Sequence, residues 1–487
     1  MIKNSLYQSL AKICSPKFVS SDSKLLKKYS TDLSYIEGKI PRYIVWPKKA
    51  TQIEKIIKLA NLKKFSVISV SSSSPIKYHG DTIPLRDNSI VIDLSKMNKI
   101  LNIDRKNRVV MIEPGVTFGQ LIPILRKKGL RILTPLLPRE DKSVLTAALE
   151  RVPITIPRYQ WDSSDPLLCT EVVFGTGDIF RTGTAAGPGT IKQQQKIGQA
   201  QVNPMGPTQF SPYRVIQGAQ GSMGIVTWAT LKLELLPSVQ QVYHLQSNNI
   251  QELLDVQYEL LKYRLCDELL ILSNLNLACL LKQNSQEIIK ISENLSEWNL
   301  IFVIAGRGKL AQDKLSYLQG DIDDIITKLG FDFSKSNLII PDNDLLNVLS
   351  RSSKDPWKMR FMGAHQDIFF LTRFERIIEY ISLMQNQFKN KLGVYIQALN
   401  QGTSYHCEFN IYYDPDDNMV VNTVKEKFMD ISTHLMDKGA FFSRPYGKWA
   451  KDAYAHQSQG TVDALKKVKK IFDPNNILNP GVLCFDD

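Results

Sequence analysis

The chain has 487 residues, of which 43% are hydrophobic and 22% charged, a composition typical of a globular protein with about two to four domains. Lysine and arginine outnumber aspartate and glutamate by 61 to 48, a formal net charge of +13, which would attract nucleic acid or an acidic partner protein. The sequence has neither a dense basic block nor a nucleic-acid recognition motif. Nucleic-acid binding is therefore not expected.

The six cysteines are widely spaced and make no C-x-x-C pair. This spacing argues against a disulfide framework and against a locally encoded zinc or iron-sulfur site. The sequence has no apolar run of about 18 residues, and its start lacks the apolar core of a secretory signal. We therefore expect a cytoplasmic protein with reduced thiols and without a transmembrane segment.

An α/β pattern begins after a polar, lysine-rich N-terminal extension at residues 1–40. Short strands are predicted at residues 42–46 and 65–70, with an amphipathic helix between them. Thr51 and Glu54 have the spacing of a capping box at the start of this helix. The segment therefore predicts a β-α-β unit, as in α/β domains.

Further strands are predicted at residues 89–94, 109–113 and 167–174, and a second capping box pairs Thr117 with Gln120. Directly after the strand at 65–70 come four consecutive serines, Ser71, Ser72, Ser73 and Ser74. Serine hydroxyls and backbone amides in such a loop can hold a phosphate group. A plain surface loop explains the same residues equally well.

A glycine-rich turn precedes the strand predicted at residues 225–236. Gly218, Gly221 and Gly224 recur at every third position, which permits left-handed backbone and close approach of amides to a ligand. A long segment at 182–211, rich in glycine, proline and glutamine, is predicted to be a loop with a functional or partner-facing role.

A change to amphipathic helices and strands after Pro237 predicts a second domain over residues 238–440. Within it, residues 404–413 alternate strictly as a strand does. Tyr405 points to one side, whereas His406 and Glu408 point to the other. The imidazole and carboxylate make this face a candidate active-site wall, with a solvated outer face as the alternative.

A series of segments occurs in the order found in one flavoprotein family: PRYIVWP, SSSSPIKYHG, SIVIDLSKMNKI, VVMIEPGVTFGQL, LLCTEVVFGTGDIFRTG, GSMGIVTWATLKLELLP and FDPNNILNPG. On these segments the chain resembles the FAD-dependent oxidoreductases of the vanillyl-alcohol oxidase and p-cresol methylhydroxylase (PCMH) type. The resemblance implies an α+β fold in which a PCMH-type, two-subdomain FAD-binding domain carries an inserted α+β substrate or cap domain. It places the FAD-binding domain at residues 41–237, the cap at 238–440 and a returning C-terminal segment at 441–487.

The resemblance also implies where the cofactor and substrate bind. FAD would contact the serine loop and the glycine turn, through Ser71, Ser72, Ser73, Ser74, Gly115, Gly218, Gly221, Ser222, Gly224, Ile225 and Val226. Asp162 matches a carboxylate near the flavin, and Arg444 matches an arginine that stabilises a phenolate. His406 and Tyr405 are candidates for catalysis or for a covalent flavin link. With His406 alone in place of the paired-histidine metal site of related hydroxy-acid dehydrogenases, no metal is expected.

These features predict an FAD-dependent dehydrogenase that takes hydride from a small organic substrate, an aromatic alcohol, a phenol or a hydroxy acid. The sequence has no heme motif and no cluster-binding cysteines. A separate acceptor protein is therefore expected, namely an iron-sulfur subunit, a cytochrome or an electron-transfer flavoprotein. A second copy of the chain, in an oligomer, is a further candidate partner. Because serines replace the family's glycine-rich phosphate loop, the alternative is a cofactor-poor structural or regulatory subunit of a redox complex.

Overall fold

The computed structural model describes residues 5–72, 77–206, 212–331, 340–388 and 391–486. Within those ranges we find no helix with the length and hydropathy of a membrane-spanning segment. The described chain is built on three sheets, and the candidate site lies where they meet.

The first sheet and its helices comprise α1 (Ser5–Cys14), β1 (Val19–Ser20), α2 (Ser23–Lys28), β2 (Tyr43–Val45), α3 (Ala50–Lys63), β3 (Ser66–Val70) and β4 (Ser89–Asp93). The strand order is β1-β2-β4-β3, and β2 and β3 both run parallel to β4. Helix α3 buries its apolar face, Ile53, Ile56, Ile57 and Ala60, completely. A crossover helix between two parallel strands of one sheet is the β-α-β arrangement that the sequence predicts.

The second sheet and its helices comprise β5 (Ile100–Asp104), β6 (Val109–Ile112), α4 (Phe118–Lys127), β7 (Leu130–Ile132), α5 (Val144–Leu149), β8 (Leu167–Val173), β9 (Ile179–Arg181), α6 (Ile191–Lys196), α7 (Pro212–Val215) and β10 (Ile225–Leu235). The order is β5-β6-β10-β8-β9, with β7 paired to the far end of β10, and the pairs are antiparallel. Strand β10, which follows the glycine turn, is therefore central to this sheet.

The third sheet and its helices comprise β11 (Val239–Ser247), α8 (Ile250–Lys262), β12 (Leu269–Ser273), α9 (Asn274–Leu281), α10 (Ser285–Asn294), β13 (Trp298–Gly306), α11 (Ala311–Lys328), α12 (Asp342–Ser350), β14 (Ala364–Thr372), α13 (Ile377–Phe388), β15 (Leu392–Leu399), β16 (Ser404–Tyr413) and α14 (Asn418–Asp437). The order is β11-β13-β12-β15-β16-β14, antiparallel throughout. Apolar clusters cover both faces, so the polar face of β16 is buried rather than solvated.

The chain ends with α15 (Trp449–Ala455), α16 (Gln459–Phe472) and a tail that returns to the first sheet. The tail lies parallel to β3, where the Val67 amide donates to the Ile477 carbonyl at 2.7 Å. Lys469 is buried, and its ammonium group donates to the Ser222 carbonyl at 2.6 Å and to Asp473 at 2.6 Å. Because Ser222 belongs to the glycine turn, this contact fixes the turn from behind.

A buried ionic cluster joins the third sheet to the second. Asp267 is fully buried and pairs with Arg131 at 2.6 Å, with Arg158 at 3.3 Å and with Arg307. Arg131 lies on β7 of the second sheet and also pairs with Glu268 at 2.7 Å. A carboxylate removed from water needs such partners, so the cluster holds the two sheets in a fixed relation.

Two local predictions differ from the observed structure. Helix α3 begins before Thr51, with Lys49 at the N-cap position and no side-chain cap, so the first capping box is wrong. The segment at 182–211, predicted as loop, contains α6, which is capped reciprocally by Thr190 and Gln193. A six-residue helix of lysine, glutamine and isoleucine has too few turns to show an apolar period.

Candidate active site

A cavity of about 330 Å³ lies between the first two sheets and the third, and we call it the main cavity. The first sheet contributes the residues that end β3, and α5 contributes Leu145, Thr146 and Leu149. The third sheet contributes Phe369 and Glu408. The cavity is therefore walled by the segments that the resemblance assigns to the cofactor and by those that it assigns to the substrate.

The glycine turn lines the main cavity and needs glycine at two positions. Gly218 and Gly221 have φ values of +67° and +72°, which an L side chain adopts only with strain. A Cβ on Gly221 would also come within 2.9 Å of the Ser69 hydroxyl. Ser222 is fully buried, and its hydroxyl donates to the Ala219 carbonyl at 2.6 Å, which closes the turn on itself.

The end of β3 and the segments around it present hydroxyl groups and cations to the same space. Ser71 and Thr146 lie in direct hydrogen-bond contact through their hydroxyls, and the Ser72 hydroxyl accepts from the Ser143 amide at 3.2 Å. Lys77 also lines the cavity, as do two further basic residues, Arg139 and Lys142. Hydroxyl donors, a left-handed glycine turn and cations are the groups that bind a diphosphate. Apolar residues such as Leu136 and Phe118 supply surface for flat rings. The residues present therefore fit FAD.

The third sheet and the turn before β14 form one wall of the main cavity, which we call the cap wall. It carries a buried ionic network centred on Lys358. Its ammonium group donates to Asp367 at 2.7 Å and also to Glu408. The Asn410 amide donates to Asp367 at 2.7 Å and to Glu408 at 2.9 Å. His406 lies behind, with Nε2 at 3.2 Å from Glu408. Each carboxylate thus has several donors, as buried charges require.

These donors keep the two carboxylates ionised. Burial raises the pKa of Glu408, but Lys358 and the hydrogen bond from His406 outweigh it and lower the pKa to about 2. The pKa of Asp367 is also lowered despite burial, by His365 and Lys358. Burial lowers the pKa of Lys358, yet the two carboxylates raise it above its ordinary value. At neutral pH the network therefore contains two negative carboxylates, Asp367 and Glu408, around one positive ammonium group, that of Lys358.

His365 stands at the edge of this network and lines the main cavity. Its Nδ1 lies 2.8 Å from Asp367 Oδ1. An ionised carboxylate only accepts hydrogen bonds, so Nδ1 donates to Asp367 and Nε2 is the ring nitrogen that can exchange a proton with a substrate. The Tyr78 ring packs on the imidazole at 4.9 Å between centroids. An imidazole oriented by a carboxylate in this way can act as a general base.

Arg444 lies 7% exposed at the same end of the cavity, with its guanidinium carbon 4.3 Å from the centre of the Phe369 ring. Tyr446 and His79 pack beside it with their rings 4.2 Å apart. Burial lowers the pKa of His79 to about 4, so this imidazole is neutral at physiological pH. The arrangement presents one fixed cation within an aromatic wall, which suits a substrate that develops negative charge.

The structure brings together most residues predicted from the sequence. Those that line the main cavity are Ser71, Ser72, Gly218, Gly221, Gly224, Ile225, Val226 and Arg444. Ser73 and Ser74 lie outside the described residues. Gly115 and Ser222 support the walls from behind, since a Cβ on Gly115 would come within 2.8 Å of three backbone carbonyls.

The other predicted catalytic residues lie elsewhere. Asp162 accepts from the Ser164 amide at 2.8 Å and pairs with Arg214 at 2.5 Å, with 37% of its side chain exposed. It is not among the residues that line the cavity, and its contacts are those of a turn cap. Tyr405 packs on the opposite face of β16, with its ring 5.8 Å from that of Phe374. His406 contacts the site through Glu408 and the Phe369 ring, so it lies behind the cavity lining.

Sequence reasoning missed Lys358, His365 and Asp367. The latter two are i and i+2 on β14, so they share one face of the strand, and this spacing is the only local signal. Lys358 precedes the strand in a 3₁₀ turn next to Trp357. Its partner Glu408 is 50 positions away, and no short motif encodes such a pair.

Two family models match the chain, one on each side of residues 184–375. The FAD binding domain family matches residues 41–183, and the FAD linked oxidases C-terminal domain family matches residues 376–483. Among curated proteins, the chain is 29% identical over 144 residues to the flavoprotein subunit of 4-cresol dehydrogenase [hydroxylating] from Pseudomonas putida, covering 28% of this chain and 26% of that protein. It is 21% identical over 469 residues to the mitochondrial D-lactate dehydrogenase [cytochrome] of Arabidopsis thaliana, covering 91% and 73%.

Solved structures support the fold over the whole chain. A crystal structure of p-cresol methylhydroxylase with substrate bound has a TM-score of 0.81 at 18% identity, covering 99% of this chain and 96% of that one. The 4-ethylphenol oxidase of Gulosibacter chungangensis gives 0.77 at 16% identity, covering 98% and 95%. At such identity the likeness establishes the fold alone.

Proposed function

The chain belongs to the PCMH-type FAD-binding family and is an FAD-dependent oxidoreductase, and from this premise we propose that it dehydrogenates an aromatic alcohol or phenol at the cap wall. The observation that carries the proposal is the carboxylate-held imidazole of His365 beside the buried guanidinium of Arg444, on one wall of the main cavity. The structural-subunit alternative is not retained, because the cavity has the groups that FAD requires.

In this proposal the residues that hold the cofactor are those of the glycine turn and the serine loop. Amides around Gly221 and the hydroxyls of Ser71 and Ser72 would hold the diphosphate, and Lys77 would offset its charge. When bound, FAD supplies an acceptor for hydride at its N5 atom. The protein itself excludes water, orients the substrate and accepts the proton of the substrate hydroxyl.

His365 takes the proton of the substrate hydroxyl at Nε2, while Asp367 holds the ring through Nδ1. Lys358 keeps Asp367 ionised, so the carboxylate stabilises the imidazolium that forms. Arg444 faces the same space and stabilises the negative charge on the substrate oxygen. Asp367 stabilises the positive charge on the imidazole, and Arg444 stabilises the negative charge on the substrate oxygen. Both charges develop only as the substrate loses its hydrogen, so stabilising them lowers the activation barrier.

Shape favours an aromatic alcohol or phenol over a hydroxy acid. On this wall the carboxylates of Asp367 and Glu408 are balanced by Lys358 and Arg444, so charge does not separate the two substrate classes. Tyr78, Phe369, Tyr446 and Trp357 provide flat apolar surface there. The names of 4-cresol dehydrogenase and 4-ethylphenol oxidase refer to phenols, which supports the same class.

We further propose that electrons leave for a separate acceptor protein. Two names support this: one relative is called a flavoprotein subunit, and the name of another, a D-lactate dehydrogenase, includes the word cytochrome. The net charge of +13 favours an acidic carrier, whose reduction would slow as salt screens the attraction. Rapid, salt-insensitive consumption of oxygen in place of carrier reduction would refute this part.

The test is anaerobic bleaching of the flavin by a panel of aromatic alcohols, phenols and hydroxy acids. We expect bleaching by the first two classes, and a loss of about 10²–10³-fold in its rate in Arg444→Met with the FAD content unchanged. Bleaching by hydroxy acids alone would overturn the substrate class. Equal bleaching rates in the wild type and Arg444→Met would overturn the assignment of Arg444 to the substrate-binding wall.

A further inference from the structure

The main cavity is the innermost of three adjoining spaces. A chamber of about 60 Å³, the inner chamber, shares part of its wall with the main cavity, namely Tyr78, His79, His365, Asp367, Phe369 and Tyr446. A vestibule of about 400 Å³ lies beyond it and shares Tyr35, Ile36, Gly447 and Lys448 with the inner chamber. Glu37 and Lys448, which are exposed, form part of the vestibule wall. The inner chamber therefore lies between the solvent-facing vestibule and the wall of the main cavity that carries His365.

The inner chamber is lined mainly by aromatic side chains. Tyr35 and Phe428 lie with ring centroids 5.6 Å apart, and Phe428 stacks on Trp449 at 5.4 Å. Met429 completes this apolar side. On the opposite side stand the residues shared with the main cavity, including the proposed base His365. A flat apolar molecule can cross such a chamber without losing contact with apolar surface.

Ile36 occupies the point where the vestibule meets the inner chamber. Its δ-methyl group lies between two glycines, Gly80 and Gly447, with φ values of +77° and +53°. A Cβ on either glycine would overlap Ile36 Cδ1. The two glycines thus leave a slot that the isoleucine side chain fills, and the slot closes the path at this point.

The segment that carries Ile36 is tied to the site by a few hydrogen bonds on its N-terminal side. The Leu33 amide donates to the Lys77 carbonyl at 2.8 Å, and Gln366 donates to the Leu33 carbonyl at 2.8 Å. The Asp32 carboxylate accepts from the Gly80 amide at 2.6 Å. These ties hold the backbone before Ile36, and none of them involves the Ile36 side chain. The side chain can therefore leave the slot without breaking them.

We propose that Ile36 is the gate of the substrate path and selects substrates by width. The inference rests on the proposed function for the identity of the substrate, but the path itself can be tested without turnover. A narrow aromatic ring passes when the isoleucine rotates out of the slot, and a wider molecule is held in the vestibule. The N-terminal extension thus contributes a specificity-determining residue to a site otherwise built from the three sheets.

The test measures how fast a thiol reagent reaches the inner chamber in the FAD-loaded protein, where bound cofactor fills the main cavity. Met429→Cys places a reporter in the chamber wall, and the six native cysteines are all buried, so their reaction is slow. We expect Ile36→Ala to speed labelling of the reporter by about tenfold or more, and Ile36→Trp to slow it by a similar factor. Leu33→Ala, on the same segment with a side chain 40% exposed, should change nothing.

Phe369→Cys, at the boundary with the main cavity, serves as a second reporter and should respond in the same order. If the labelling rates of both reporters are the same whichever residue occupies position 36, the gate is refuted. With a substrate in hand, Ile36→Ala should raise kcat/KM more for a bulky ring than for a narrow one. Failure to find any substrate would weaken the proposed function and leave the labelling result standing, so the two failures are distinguishable.

Discussion

Replacing Lys358 with methionine removes the cation from a buried cluster and leaves Asp367 and Glu408 facing each other. In the native protein Glu408 titrates at about 2 instead of the ordinary 4.5, which corresponds to roughly 3 kcal/mol at about 1.4 kcal/mol per pH unit. Breaking a buried pair by removing one partner costs about 3–5 kcal/mol. We therefore expect Lys358→Met to lower the free energy of unfolding by about 3 kcal/mol at neutral pH.

The effect has a defined dependence on pH. A carboxylate whose folded pKa is depressed stabilises the protein above its unfolded pKa, and this contribution disappears as pH falls through the folded value. Without Lys358 the pKa of Glu408 rises, so the variant has no such contribution to lose. The difference between wild type and Lys358→Met should be largest near neutral pH and shrink progressively below about pH 4.5.

The assay is urea unfolding followed by tryptophan fluorescence at about pH 8 and about pH 4. Lys354→Met, at an exposed position four residues away, is the matched control and should lose less than about 0.5 kcal/mol. Lys358→Met combined with Glu408→Gln should recover part of the loss, because one unpaired charge is gone. A loss below about 1 kcal/mol in Lys358→Met, or the same loss at both pH values, would refute the reasoning.

Two further outcomes follow from the walls of the main cavity. Gly221→Val should weaken retention of FAD on gel filtration by about tenfold or more, because a φ of +72° is strained for valine by about 1–3 kcal/mol. The control Gly320→Ala, with nothing within 4 Å of the added Cβ, should retain FAD. Asp162→Asn should bleach at the wild-type rate, since Asp162 lies outside the cavity lining, and a loss of tenfold or more would return it to the catalytic group.

Local sequence signals predicted those parts of the fold that local contacts determine. The alternation of residues 404–413 predicts β16 with its observed bounds, because a strand's faces follow from a period of two. The Thr117 cap is also present, with its hydroxyl 3.4 Å from the Gln120 amide. The Gln120 side chain instead donates to the Asn98 carbonyl, a tertiary contact that the spacing does not encode.

The candidate site was predictable only in part, because many of its contacts join residues that are distant in sequence. Arg444 and the glycine turn were found through segments in family order. Ser71 and Ser72 of the serine-rich loop line the main cavity, and their contact with FAD stays a prediction. The network of Lys358 joins three elements distant in sequence, and a buried lysine has the same local pattern as a surface lysine. Asp162 shows the opposite error, because a turn cap and a catalytic carboxylate have the same residue type.

The most direct test of the central claim is the rate of anaerobic flavin bleaching in His365→Gln beside the wild type, with a substrate that reduces the wild-type enzyme. Glutamine preserves a hydrogen-bonding side chain without a base, so we expect the rate to fall by about 10²–10⁴-fold. The FAD content and the unfolding midpoint should stay unchanged. Bleaching of His365→Gln at the wild-type rate would contradict the assignment of the cap wall as the catalytic centre.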